Sequence, residues 1–246
     1  PLFRSSAASD VYKRQAGPNS RSFLKKIVVS EDPDKTLSNK EFPWLSYRDI
    51  EIGMCPVRAL RVAYTGELGW ELHHPIEMQN YLLDILLSSG KEFNLKLVGA
   101  RAQNWLRQEK SYKAFGSDLG RDAGPFESKL SRFVDINKNF LGKDALLKRK
   151  TDVSCVTLLI DGPKDIDPWG REALYNETEE VMLGRLTSAG YSVHFKRSIG
   201  IGYVKSSFSE VGTKLRIKID DAFWNAEIVR DSPYDPQNER IIDRAQ

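Results

Sequence analysis

After about residue 150 the chain changes texture, and that change limits its possible folds more than any other feature. Five short apolar runs recur: Val153–Ile160, Val181–Leu186, Ile199–Val204, Leu215–Ile219 and Phe223–Val229. Turn-forming residues separate them at Gly162-Pro163, Asp167-Pro168, Gly190, Gly212 and Asp220-Asp221. Repeated short strands with no helical repeat between them predict a small antiparallel barrel or sandwich over 151–240. Pro233-Tyr234-Asp235-Pro236 predicts an extended strap, because residues before proline avoid the α region.

The region before it is mixed. A turn at Gly17-Pro18-Asn19-Ser20 leads into a helix capped by Ser20 or Asn19, with Phe23, Leu24 and Ile27 on its apolar face. Pro33 and polar neighbours predict a loop over 31–41 with a short helical turn near 35–39. Loose alternation over 48–63 predicts strands with a turn at 53–56. Met78, Leu82, Ile85 and Leu86 make a helical stripe that Gly90 is placed to stop. A second helix is expected over 98–112, burying Val98, Ala102, Trp105 and Leu106, with Gln103, Arg107, Glu109 and Lys110 on charged faces. Lys143 to Lys150 closes the region as a basic helix end. The expected fold class is therefore α+β over 16–150, followed by the all-β domain.

The first fifteen residues stand apart. Asp10-Val11-Tyr12-Lys13-Arg14-Gln15 resembles the translated end of a sequencing adapter, so 1–15 are expected to be a non-native tail, and the native chain is expected to start near Ala16. The opposing reading is a disordered native N-terminus.

Composition excludes several classes. Lys and Arg number 37 against 34 Asp and Glu, a net charge of +3, too small to argue for nucleic acid. Cys55 and Cys155 stand far apart with no metal or redox spacing, so reduced structural thiols are expected. No apolar run approaches a membrane span and no signal peptide is visible, which suits the cytoplasm, or the mitochondrial matrix in a eukaryote.

The stretch with most chemical content is Tyr64-Thr65-Gly66-Glu67-Leu68-Gly69-Trp70-Glu71-Leu72-His73-His74-Pro75. As a strand it places Glu67, Gly69 and Glu71 on one face and Leu68, Trp70 and Leu72 on the other. The glycines remove side chains beside Glu71 and leave a shallow place for a flat ligand. A carboxylate there can accept two parallel N–H bonds, such as a pterin edge offers. The competing reading makes both carboxylates solvated strand residues.

Other motifs are weaker. Gly200-Ile201-Gly202 lies in a strand run with no helix after it, so it is no dinucleotide loop. His73 and His74 are adjacent and face opposite ways on a strand, which is poor for chelation, and no metal site is expected. Ser192 and His194 read as a solvated loop, and Asp118 and Asp122 as surface or cap residues. Trp105, Tyr112 and Phe115 either stack on a planar ligand or belong to the core.

The ordered landmarks are Gly17-Pro18-Asn19-Ser20-Arg21, the Tyr64–Glu71 stretch, Leu106-Arg107-Gln108-Glu109-Lys110-Ser111-Tyr112, Gly124-Pro125-Phe126-Glu127 and Phe140-Leu141-Gly142-Lys143-Asp144-Ala145. Together they resemble the folate-binding aminomethyltransferase family, the T-protein of glycine cleavage, from Ala16 to about Arg240. Glu109-Lys110, Trp169-Gly170, Leu186 to Tyr191 and Pro233–Pro236 are similar to the C-terminal half of sarcosine and dimethylglycine dehydrogenases.

The resemblance implies an N-terminally truncated folate-binding domain followed by a small antiparallel β-barrel. It implies tetrahydrofolate as cofactor, with Glu71 holding the pterin. Tyr64, Arg101, Gln103 and Tyr112 are the further folate-binding candidates. Gln103 stands where the family carries an arginine, so it can hydrogen-bond but cannot clamp a carboxylate.

The family's catalytic aspartate and, in the dehydrogenases, an FAD domain precede Gly17, so no catalytic residue is expected here. The implied activity is N-methyl amine oxidation with the one-carbon unit passed to folate. The partners are a methylated amine, folate and the missing flavin domain. The fragment alone is expected to be inactive, with apolar surface left exposed.

The alternatives are a stand-alone aminomethyltransferase or demethylase, or a non-catalytic folate-binding module. Relatives of the last kind that act in iron–sulfur assembly carry a Lys-Gly-Cys-type signature before the glutamate motif. Val62-Ala63-Tyr64 stands there instead, without a cysteine.

Overall fold

A computed structural model describes residues 10–149, 151–162 and 167–243. Lys150, Pro163 and the tail before Asp10 lie outside the described residues. The chain forms two compact units. One comprises residues up to Gly99 together with those from Gln237 on, and the other comprises Ala100–Pro236.

The first unit is built on a four-stranded antiparallel sheet. Its strands are β1 (Asp10–Ala16), β2 (Tyr47–Ile52), β3 (Cys55–Leu60) and β4 (Gly69–Pro75), in the order β1-β4-β3-β2. Alternation places Trp70, Leu72 and His74 on the buried face of β4 and Glu71 and His73 on the other. Helix α1 (Ser20–Ile27) buries Phe23, Leu24 and Ile27, the stripe its sequence predicts. Asp32 caps the short α2 (Pro33–Thr36) by accepting from the Lys35 N–H. Helix α3 (Gln79–Gly90) buries Leu82 and Leu86 and packs on α1.

Asp10–Ala16 forms β1, paired with β4 from Asp10↔Pro75 to Ala16↔Gly69. Glu67 precedes β4, which begins at Gly69, so it does not share a strand face with Glu71; it lies 3.4 Å from the Arg240 guanidinium, as a structural residue before the strand. One expectation for this unit fails: the left-handed residue ending α3 is Asn94 (φ 55°), one short turn beyond Gly90. Gly90 is small for another reason: a Cβ there would lie 2.7 Å from Leu95 Cβ.

The chain end returns to this unit through α6 (Glu239–Ile242), which buries Ile241. Ile242 and Asp243 supply acceptors to two buried arginines. Arg21 donates to Asp243 Oδ2 at 2.9 Å, and Arg61 donates to the Phe42 and Ile242 carbonyls at 2.6 and 2.7 Å. Both guanidinium groups lie within 6 Å of the Trp70 ring centroid. Burial, then the neighbouring Arg21 charge, pulls the Arg61 pKa down to about 10.

The second unit contains a closed six-stranded antiparallel barrel. Its strands are β5 (Val153–Asp161), β6 (Ala173–Tyr175), β7 (Met182–Ser192), β8 (Arg197–Lys205), β9 (Lys214–Ile219) and β10 (Ala222–Val229). They close in the order β10-β5-β8-β7-β6-β9, and β9 pairs back to β10. Closure leaves no sheet edge exposed. Val156, Leu158, Ile160, Leu215, Ile217 and Ile228 fill the interior by alternation. The helix α4 (Ala100–Glu109) lies on β7 and β8, and α5 (Lys143–Lys148) precedes the barrel.

Here too the structure corrects the sequence reading. The charged residues Arg107 and Glu109 at the end of α4, and Lys110 just after it, are buried, whereas Val98 is 65% exposed. The 233–236 segment is not extended, since Ser232 and Asp235, each before a proline, have φ of 56° and 43°. No helix among the described residues is long and apolar enough to cross a membrane.

Candidate functional site

Glu71 sits mid-strand on the outer face of β4, where β1 and β3 flank it at Arg14 and Leu60. Its side chain is 16% exposed. Oε1 accepts from Arg14 Nε at 2.6 Å, and Oε2 lies 3.2 Å from His73 Nε2. The His73 ring stacks on Tyr12 with centroids 4.9 Å apart and planes 24° from parallel. The Arg14 guanidinium carbon lies 5.2 Å from the Tyr12 ring centroid and 5.9 Å from that of Tyr64. A carboxylate and two tyrosines thus surround one planar, cationic N–H donor.

The register of β1 on β4 produces this cluster. Arg14 stands directly opposite Glu71 and Tyr12 opposite His73, and directly opposed side chains are the closest neighbours a sheet offers. Gly69 permits the pairing, because a Cβ there would meet the Gln15 carbonyl oxygen at 2.6 Å. The space expected to be open at this glycine is filled by β1 backbone.

Of the sequence-predicted folate residues, Glu71 and Tyr64 meet in the first unit, joined by Arg14. The other three belong to the second unit. Arg101 is exposed, lies 5.2 Å over the Trp105 ring and pairs with Asp167. Gln103 is half-buried on α4. Tyr112 is half-buried; burial pushes its phenol up while Arg132 opposes the shift. Its carbonyl accepts from Arg107 at 2.7 Å. Tyr12, Arg14 and His73 complete the Glu71 cluster, and sequence reasoning missed all three as site residues. The signal available was alternation in 10–16, which places Tyr12 and Arg14 on one face.

Several motif residues do structural work instead. Asp118 is fully buried: it accepts from Arg107, from the Ala114 N–H, and from the hydroxyls of Thr187 and Ser188, all at 2.6–2.9 Å. Neither a surface nor a cap role fits it. Ser192 is also fully buried; it donates to Glu109 and accepts from the Phe195 N–H, so it is not in a solvated loop. Lys110 donates to the Asp235 carbonyl at 2.6 Å, and Glu109 accepts Tyr234 through its own carbonyl. The Arg107–Ser111 run therefore ties α4 to the barrel and to the segment after β10. Phe115 is 91% exposed and belongs to no core. Cys55 and Cys155 are free and buried, and no cluster among the described residues has the ligands for a metal.

The model of the GCVT N-terminal domain matches residues 14–138, and that of the glycine cleavage T-protein C-terminal barrel domain matches 154–235. The chain belongs to the glycine cleavage T-protein family. It is 36% identical over 223 residues to mitochondrial dimethylglycine dehydrogenase of Mus musculus, covering 88% of this chain and 24% of that protein. It is 29% identical over 214 residues to an aminomethyltransferase of Caldanaerobacter subterraneus subsp. tengcongensis (strain DSM 15242 / JCM 11007 / NBRC 100824 / MB4), covering 87% and 55%. The crystal structure of glycine cleavage system aminomethyltransferase T from Bartonella henselae superposes with a TM-score of 0.76 at 21% identity. It covers 92% of this chain and 60% of that one, a likeness of fold. The chain thus spans about a quarter of the dehydrogenase and little over half of the transferase. As a T-protein family member it carries the expected helix-and-sheet region and closed barrel.

Proposed function

We propose that this T-protein family chain is the folate-binding portion of an FAD-dependent N-methyl amine dehydrogenase of the dimethylglycine or sarcosine type. The observation that carries the reading is the Glu71 cluster, a half-buried carboxylate whose Oε1 already accepts a planar N–H donor beside Tyr64. The Arg14 guanidinium stands in there for the amino-amidine edge of a pterin, which offers the same flat array of N–H groups. These residues therefore fit tetrahydrofolate by chemistry.

Glu71 would orient the pterin, and Tyr64 would support its ring. The folate supplies the nitrogen that takes up a one-carbon unit. Arg101, Gln103 and Tyr112 are proposed further contacts, with Gln103 acting as a neutral hydrogen-bonding group. The general acid–base residue and the flavin are proposed to belong to preceding sequence on the same polypeptide, and the methylated amine is the proposed substrate. The dehydrogenase relative, 36% identical over most of this chain, favours this reading over a stand-alone aminomethyltransferase.

The test is thermal unfolding of the chain with and without 5-formyltetrahydrofolate. Reduced folate is expected to raise Tm in proportion to the logarithm of its concentration, and Glu71→Ala is expected to lose most of that rise. An unchanged rise in the folded variant would remove Glu71 from the site. Sequencing the gene 5′ of the codon for Ala16 tests the flavin assignment, which predicts a dinucleotide-binding fingerprint there.

A further inference from the structure

We propose that residues 131–148 form a docking face for sequence that precedes this chain on the same polypeptide. The proposal rests on the reading that such sequence exists, and it adds the place where that sequence sits.

The face is defined by what it leaves unburied. None of residues 131–148 is buried, although the stretch folds into a 3-10 turn at Ser131–Phe133 and the helix α5. Phe133 is 70% exposed and Leu141 fully so, and Ile136, Phe140 and Leu147 are exposed as well. Single exposed apolar residues are ordinary on a protein surface, but five in one stretch mark a contact. α5 has only six residues and no buried side chain. A helix that short takes its stability from packing, which this one lacks. Val134 has extended backbone angles (φ −110°, ψ 107°) yet belongs to no sheet among the described residues. An open hollow of about 670 Å³ is lined, among the described residues, by Asn139–Ala145, so one stretch of chain supplies its wall.

Two arguments choose the occupant. The first is charge: Arg132, Lys138, Lys143 and Lys148 outnumber Asp135 and Asp144 over the stretch. A two-fold dimer through this face would set it against itself, cation against cation. The partner that fits is apolar at its centre and acidic at its rim. The second is length. The chain covers 24% of the dimethylglycine dehydrogenase, 55% of the aminomethyltransferase and 60% of the Bartonella henselae structure. Each relative has ample chain outside the match to carry such a surface. A covalently attached partner also meets the face at high effective concentration, so a modest apolar strip suffices.

The experiment compares hydrogen exchange of peptides from 131–148 in this chain and in the full-length product of its gene. Exchange is expected to be at least about tenfold slower in the full-length protein. Leu141→Asp is expected to leave the Tm of the chain within about 1 °C of the parent and to lower that of the full-length protein by at least about 3 °C. Equal exchange in both proteins, or an equal change of Tm in both, overturns the docking face and leaves the folate reading to stand on the response to reduced folate. Slow exchange in the chain alone that quickens on dilution, with a dimer in sedimentation, assigns the face to a second copy and overturns the proposal. A gene with no coding sequence before the codon for Ala16 removes the flavin-dehydrogenase reading, and the proposal falls with it.

Discussion

Asp118 has a side chain with no exposure, and it meets Arg107 at 2.7 Å inside the second unit. Removing one member of such a pair leaves the other charged and dry. Asp118→Ala is therefore expected to cost about 3–5 kcal/mol, read as a lowered urea midpoint. Gly190 makes a steric case of the same kind, since a Cβ there would overlap the Trp105 indole. Gly190→Ala is expected to cost about 1–3 kcal/mol. Gly120→Ala, where a Cβ meets nothing within 4 Å, should stay within about 0.5 kcal/mol of the parent in the same denaturation series. Asp118 was illegible in the sequence because a carboxylate among polar neighbours reads as solvated, and the hydroxyls that bury it arrive with Thr187 and Ser188 on β7. Glu71 was legible as a carboxylate facing away from Trp70 and Leu72, since strand alternation alone fixes that. Its pairing with Arg14 was not, because it depends on which strand lies alongside.

At the level of elements, the barrel strands were readable wherever an apolar run and its flanking turns coincided, as at Lys214–Ile219 and Ala222–Val229. β6 escaped because only Leu174 of its three residues is buried, so it has no periodicity to detect. β1 escaped for a different reason: Asp10–Gln15 reads as an adapter-derived tail, so no element was expected there, and backbone pairing with β4 defines the strand. α6 is similarly silent in pattern, yet it covers two buried arginines. Ending the chain after Pro236 removes the Ile242 carbonyl and the Asp243 carboxylate from Arg61 and Arg21. Such a truncation is expected to lower Tm, with a loss of about 3–5 kcal/mol for the uncompensated charge. Arg61→Met in the truncated chain is expected to restore part of the loss, because a neutral side chain of similar length needs no acceptor. Equal Tm values for the truncated chain with and without Arg61→Met would show that α6 acts by burial of Ile241 alone.

For the whole molecule, stability against alkali follows from two buried protons. Burial, the largest cause in each case, raises the Cys155 thiol from 9.0 to about 11 and the Tyr203 phenol from 10.0 to about 12. Between the lower and the higher value of each pair the unfolded chain has released a proton that the folded chain still holds. Both contributions are therefore fully present below pH 9 and are lost as pH rises from 9 to about 12. Cys155→Ala is expected to remove the loss that begins at 9, worth roughly 3 kcal/mol at full extent. Urea midpoints at pH of about 8, 10 and 11 would read it as a flatter slope for the variant.

The return of residues 237–243 to the first unit also has a consequence in time. A ribosome releases β1 to β4 early, with Arg21 and Arg61 among them, but delivers Ile242 and Asp243 only after the entire barrel has been made. Throughout synthesis the nascent first unit holds two guanidinium groups beside Trp70 that lack these two acceptors. Its packing is thus completed only after the barrel strands have been made, when Ile242 and Asp243 arrive. A chain stalled or released before Ile242 would carry a finished barrel and an unfinished sheet, a species that chaperones and proteases would recognise by the sheet alone.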